Sequence, residues 1–249
     1  MLIRDVIKMQ GEVLFRYRGY VPLFLAPLVL IALHESGWME VRYGDLAAGI
    51  YEGMCLLISM IGVALRVVTV ASLPRRTSGR NTDKGQVADA LNTTGMYSIV
   101  RHPLYLANSL VLLGALLVTG SLWLTLVGLL GCCLHYERLM HGEEDFLLKQ
   151  YGDQFVAWAN RTPAFFPRLS LWRSPAMSFC WRTALKREYL TAFGLIAVFT
   201  VLDYAKELLG KGRFEYEIWT APLFLCALCL FLIVRYLRKQ TRVLHVDGR

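Results

Sequence analysis

Charge is scarce in this chain. Only 18% of its 249 residues are Asp, Glu, Lys or Arg, and the mean hydropathy is positive, whereas a soluble domain carries about a quarter charged residues. Little sequence is left for a separate water-soluble catalytic domain, because stretches apolar enough for a hydrocarbon core of about 30 Å recur along the whole length. No G-x-G-x-x-G follows a strand-like run, which argues against a Rossmann-type cofactor cradle. No His, Cys, Asp and Glu cluster has metal-ligand spacing, and no repeat or low-complexity tract occurs. A small-residue cleavage site is also missing after the first apolar run, so that run is expected to stay as an uncleaved span.

Cysteine is sparse and badly placed for chemistry. Of Cys55, Cys132, Cys133, Cys180, Cys226 and Cys229, all but Cys180 lie in or at the ends of apolar runs and read as small buried hydrophobes. Cys226 and Cys229 form a C-x-x-C in mid-membrane, where neither zinc nor a thiol partner has easy access.

The apolar runs predict an all-α, polytopic membrane helix bundle forming one domain over residues 1–249. An amphipathic interfacial helix in the first twenty residues feeds a first span. Further spans are expected at about Asp45–Ala71, Leu104–Thr119, Leu122–Tyr136, Tyr189–Leu202 and Ile218–Tyr236, six in all. Only Gly120 and Ser121 join the third and fourth, so these two form a tight hairpin. Each of its arms has about sixteen residues, roughly 24 Å of helix, short for a bilayer.

The net charge of +8 does not line one face as a nucleic-acid site would; it sits between apolar runs, where anionic lipids are the better partner. The N-terminal segment, the loop with Arg75, Arg76, Arg80, Lys84 and Arg101, the stretch from Arg138 to Arg187 and the C-terminal tail are all basic and fall on one side. The positive-inside bias makes that side cytoplasmic, with both termini, in a bacterial inner membrane or an ER-type membrane.

The hairpin then brings the "TGMYSIVRHPLY" that enters it against the "HYERLMHGEEDF" that leaves it. Taken singly, Arg101 snorkels, His102 caps a helix and the glutamates solvate a helix end. Their convergence asks for more. Carboxylates accept from hydroxyl and ammonium groups, aromatic rings cover a cation or purine, and arginine holds a carboxylate or phosphate in its fork. Such a mixture suits a polar cofactor held beside lipid.

"TTGMYSIVRHPLY", followed by "EEDFLLKQYG", "FVAW" and "RTPAFFP", resembles the membrane-embedded methyltransferase family of isoprenylcysteine carboxyl methyltransferases and phospholipid N-methyltransferases. The resemblance covers about residues 60–167. Residues 168–188 follow as an interfacial cytoplasmic segment and 189–249 as a two-helix extension.

The resemblance implies S-adenosylmethionine as methyl donor in a pocket at the cytoplasmic face, with no metal. The acceptor is a lipid or lipidated molecule from the bilayer. Gly95, Tyr97, Arg101, His102, Pro103, Tyr105, Glu143 and Glu144 are the implied cofactor-binding residues, and Leu147, Tyr151 and Gly152 complete the second motif. Arg66, Arg101, His102 and Arg138 are the candidates for catalysis, although Arg138 stands one residue earlier than the family's arginine and Ala107 replaces a frequent glycine.

Arg66, inside the second span, is expected either to snorkel or to pair with an anionic headgroup or the cofactor. The cations around it favour a lipid phosphate or a carboxylate as acceptor. An amine acceptor is the alternative and would need a base, with His102 or a glutamate nearest. A scaffold keeping a degenerate pocket is a further alternative.

Overall fold

The computed structural model describes residues 3–17, 19–34, 36, 38–74, 77, 81–82, 85–86, 88–211 and 220–248. Arg75, Arg76, Arg80 and Lys84, expected beside the site, lie outside the described residues. Their regular structure is helical apart from one two-residue antiparallel pairing of Asn81–Thr82 with Gly85–Gln86. The chain is a helical membrane bundle.

Helix α1 (Ile3–Tyr17) precedes a 3-10 turn (Val21–Leu25), α2 (Ala26–Leu33) and α3 (Trp38–Tyr43). Helix α4 (Asp45–Ala71) is the long second span. After it come the single turn α5 (Met96–Ile99), the hairpin α6 (Pro103–Leu117) and α7 (Leu122–Tyr151), and short α8 (Asp153–Ala159). Helices α9 (Trp181–Lys206) and α10 (Thr220–Gln240) complete the chain.

Small residues set the closest packing. A Cβ on Gly62 of α4 would fall 2.5 Å from the carbonyl oxygen of Ala107, and one on Gly114 of α6 only 2.2 Å from that of Cys55. The two backbones therefore touch as only glycine permits, a common way for helices to associate in lipid. Ser59 donates to the Val111 carbonyl at 2.9 Å across the same contact.

The hairpin follows from local chemistry. Pro103 sits at the first helical position of α6, where its missing N–H costs nothing. The Ser121 hydroxyl caps α7 by accepting from the Leu124 N–H at 3.5 Å. Helix α7 then runs for 30 residues without a break, so the apolar fourth span and the glutamate motif share one rod. It ends at Gly152, whose φ of +50° turns the chain sharply into α8.

The segment after α8 returns along the residues that precede α6. Arg101 N–H donates to Pro163 O at 2.8 Å, His102 N–H to Ala164 O at 3.2 Å, Arg168 N–H to Ile99 O at 2.9 Å and Gly95 N–H to Arg173 O at 2.9 Å. This strap fixes the backbone on which Arg101 and His102 ride.

Among the described residues, three stretches are long and apolar enough to cross a membrane: Leu23–Tyr43, Asp45–Ala71 and Thr220–Gln240. The other three expected spans differ in length or charge. Helix α6 is apolar but has only 15 residues. The apolar parts of α7 and α9 are portions of longer helices that also carry charge. Helix α9 begins at Trp181, so residues 181–188, expected in the interfacial segment, are its first two turns.

Leu33, Cys55, Val118 and Leu202 form a buried core cluster between these helices. Leu223, Leu230 and Ile233 of α10 remain exposed, as side chains facing hydrocarbon do.

Candidate active site

A cavity of about 360 Å³ opens where α4, α6, α7 and the start of α9 meet the residues around His102. Arg66, Tyr97, Arg101, His102, Pro103, Tyr105 and Glu143 line it, as do Asn92, Asn108, His135, Tyr136, Trp158, Arg187 and Glu188. Its size falls within the range of about 300–1,000 Å³ usual for small-molecule sites.

His102 is the centre of the charged cluster. It is 6% exposed, and its two ring nitrogens meet two carboxylates: Nε2 lies 2.9 Å from Glu144 Oε1, and Nδ1 lies 3.3 Å from Glu143 Oε2. Glu143 and Glu144 are consecutive, so they leave α7 about 100° apart and grip the ring from two directions. Burial would depress the imidazole pKa, but the hydrogen bonds and charges of both glutamates prevail and raise it, favouring imidazolium. Burial likewise pushes Glu144 upward, and the His102 hydrogen bond, with the charges of His102, Arg101 and His141, outweighs it and holds the carboxyl below its ordinary value.

Arg101 Nε stands 3.4 Å from Glu144 Oε1 as an ion pair. That nitrogen is buried and makes no hydrogen bond among the described residues. Aromatic rings form the other wall. His102 stacks on Tyr105 with centroids 5.6 Å apart, and Tyr105 on Tyr136 at 5.0 Å. Trp158 Nε1 donates to the Tyr97 carbonyl at 3.2 Å, tying α8 to the residues before α6. Burial raises the Tyr97 phenol above its ordinary range, so it stays a neutral donor.

The expected residues do not all play the expected parts. Gly95, with φ of +60°, makes the turn into α5 and lines a smaller neighbouring cavity of about 190 Å³ shared with Pro175 and Trp172. Glu144 is outside the lining of the large cavity and holds His102 and Arg101 from behind.

Arg138 lies apart from the cavity. Its Nε donates to Gln10 Oε1 of α1 at 2.9 Å and an Nη to the Leu134 carbonyl at 2.8 Å, so it fastens the N-terminal helix and takes no part in the cavity lining. Residues 138 and 143 are five apart and so project from different sides of α7.

Arg66 lines the cavity, but its charge is already met. Nε and one Nη donate to the two carboxylate oxygens of Glu188 at 2.7 and 3.0 Å, and the other Nη donates to Asn108 Oδ1 at 2.5 Å. Glu188, Asn108, Trp158, His135 and Arg187 are cavity residues that the motifs did not single out. Trp158 carried a signal as the last residue of "FVAW", and His135 as the first of "HYERLMHGEEDF".

Among the described residues no group of three or more His, Cys, Asp or Glu is placed to hold a metal ion.

The family model described as "Phospholipid methyltransferase" matches residues 51–154. The chain is also similar to the cobalt-zinc-cadmium resistance protein CzcN of Cupriavidus metallidurans, at 40% identity over 120 residues, 48% of this chain and 52% of the relative. It is similar to the nickel-cobalt-cadmium resistance protein NccN of Alcaligenes xylosoxydans xylosoxydans, at 39% identity over 163 residues, 65% of this chain and 70% of the relative. The match thus spans about half the length of the first relative and over two thirds of the second. No solved structure matches this chain.

Proposed function

This chain belongs to the phospholipid methyltransferase family, and we propose that it methylates the polar head of a lipid or lipidated acceptor at the cytoplasmic face of its membrane, with S-adenosylmethionine as donor. The observation that carries the reading is the cavity itself: the Glu143 carboxylate, stacked aromatics and the Arg101 guanidinium line one space beside the apolar helices.

The residues fit the donor's chemistry. Glu143 offers a carboxylate for ammonium or hydroxyl groups, Arg101 a guanidinium for a carboxylate, and Tyr97, Tyr105 and Trp158 surfaces for a purine. When bound, S-adenosylmethionine supplies an activated methyl group on a sulfonium. The chain's own task is to orient the acceptor in line, exclude water and leave charges in place. The strap over residues 95–102 and the His102 clamp supply that rigidity.

The acceptor we favour is a lipid phosphate or a carboxylate. Such an oxygen is nucleophilic at neutral pH and needs no base, and His102, with each ring nitrogen already facing a glutamate, is poorly suited to be one. The second reading is an amine acceptor. One observation favours it: His135 lines the cavity with Nδ1 buried and unpartnered among the described residues, so it could take the proton.

The names of the two relatives add a physical link. Methylating a phosphate or carboxylate removes one negative charge from the membrane surface and so weakens its attraction for divalent cations. We place the protein, with both termini cytoplasmic, in a bacterial inner membrane or an ER-type membrane, where reporter fusions at either end test the topology.

The deciding experiment titrates purified protein with S-adenosylmethionine by calorimetry, then supplies labelled donor and a lipid extract and identifies the product by mass spectrometry. Binding with transfer to a headgroup oxygen is expected. Binding without transfer would leave a scaffold with a degenerate pocket, a methylated amine would establish the second reading, and no binding would end the assignment.

A further inference from the structure

The family model stops at residue 154, yet the cavity does not. Helix α9 sends Glu188 into its wall, where the carboxylate is 4% exposed and grips Arg66 through both oxygens. Asn108, six residues or about 9 Å beyond His102 along the chain, takes a third N–H of the same guanidinium.

A guanidinium has five N–H donors. Three are used here, and two remain without a partner among the described residues, on a side chain that lines the cavity. If this pair only fastened α9 to α4, apolar packing would serve as well, because a buried ion pair gains little over hydrophobic residues of similar volume. What an apolar pair could not do is offer donors inside the cavity with their charge offset.

We propose that Arg66, Asn108 and Glu188 form a headgroup subsite: the two remaining N–H groups of Arg66 take an oxygen of the acceptor, and Glu188 is the positioning residue that fixes the fork. The inference rests on the proposed function for the acceptor's identity but not for the existence of the subsite. Its consequence is that acceptor recognition depends on a helix beyond the methyltransferase segment. Because Glu188 offsets the guanidinium charge, the subsite selects a hydrogen-bonding oxygen more than a net negative charge.

The test uses the full chain reconstituted with a lipid extract, re-purified in mild detergent and examined by native mass spectrometry for retained lipid. Thermal unfolding and calorimetric affinity for S-adenosylmethionine are measured on the same samples. Wild type should retain one lipid class. Arg66→Met combined with Glu188→Leu should lower that retention at least about tenfold, as loss of a charged hydrogen bond does, with unfolding temperature and cofactor affinity nearly unchanged.

Unchanged retention in the double variant would reduce the pair to a fastening and overturn the proposal, as would a wild type that retains no lipid. Should the double variant fail to fold, Glu188→Gln decides. It keeps the shape but not the charge, so at least about tenfold weaker retention supports a positioning role and wild-type retention refutes it. Loss of cofactor binding in wild type would strike the proposed function alone and leave the lipid result standing.

Discussion

His102 and Glu144 form a part-buried hydrogen-bonded pair, Nε2 to Oε1 at 2.9 Å, that joins the start of α6 to the far third of α7 behind the wall of the cavity. Its two members shift in opposite directions, the imidazole upward and the carboxyl downward, as expected when each stabilises the other's charge.

That pair predicts a pH dependence of stability. A group whose pKa is raised by folding contributes fully below its ordinary value, 6.5 for His102, and loses that contribution as pH rises through the raised value. Glu144, lowered by folding, contributes above its ordinary 4.5 and loses it as pH falls through the lowered value. Thermal unfolding of wild type in detergent should therefore be highest between these ordinary values and decline above them. His102→Asn should flatten the alkaline decline, and an equally steep slope in that variant would assign it to other groups.

Glu143 and His102 should separate binding from folding. Glu143→Gln keeps the side chain's shape at a partly exposed position, so stability should move by less than about 1 kcal/mol while S-adenosylmethionine affinity falls about tenfold. His102→Ala removes the ring that two carboxylates face, and leaving them without it should cost about 1–3 kcal/mol as well as affinity. Calorimetry and thermal unfolding on the same samples check both.

Helix α1 should depend on Gly11. A Cβ there would come 2.3 Å from the Arg138 carbonyl oxygen, a backbone atom that cannot yield cheaply. Gly11→Val should lift α1 and increase hydrogen exchange along it, and Arg138→Met should do so more mildly by losing Gln10. Gly49→Val is the control, since nothing lies within 4 Å of a Cβ at that position. Because Phe15 of α1 lines the cavity, Gly11→Val should also weaken cofactor binding, whereas Gly49→Val should not.

The contact between α4 and α6 should be the least tolerant in the bundle. Gly114→Val places its Cβ 2.2 Å from a carbonyl oxygen of α4. Overpacking of this kind costs about 1–3 kcal/mol or more. A fall in unfolding temperature is expected, larger than for any change at exposed Leu230.

Much of this architecture was legible because its causes are local. Scarcity of charge and long apolar runs determined a helical membrane bundle. A short turn, four residues between Leu117 and Leu122, made α6 and α7 neighbours and so brought His102 toward Glu143 and Glu144. The strap of "RTPAFFP" was legible as a motif, although its backbone bonds to Arg101 and His102 were not.

The tertiary structure alone decided which charges face the cavity. Arg138 and Glu143 share one helix, but only packing against α1 reveals that the arginine serves Gln10. Arg66 had to find a counter-charge, since an unpaired guanidinium among apolar helices is costly. That requirement is written in the second span, but its solution is not: the chain holds 19 acidic residues, and the one that pairs lies 122 positions away on a helix without a motif. Sequence determines that a buried charge needs a partner, and the packing of distant helices determines which residue supplies it.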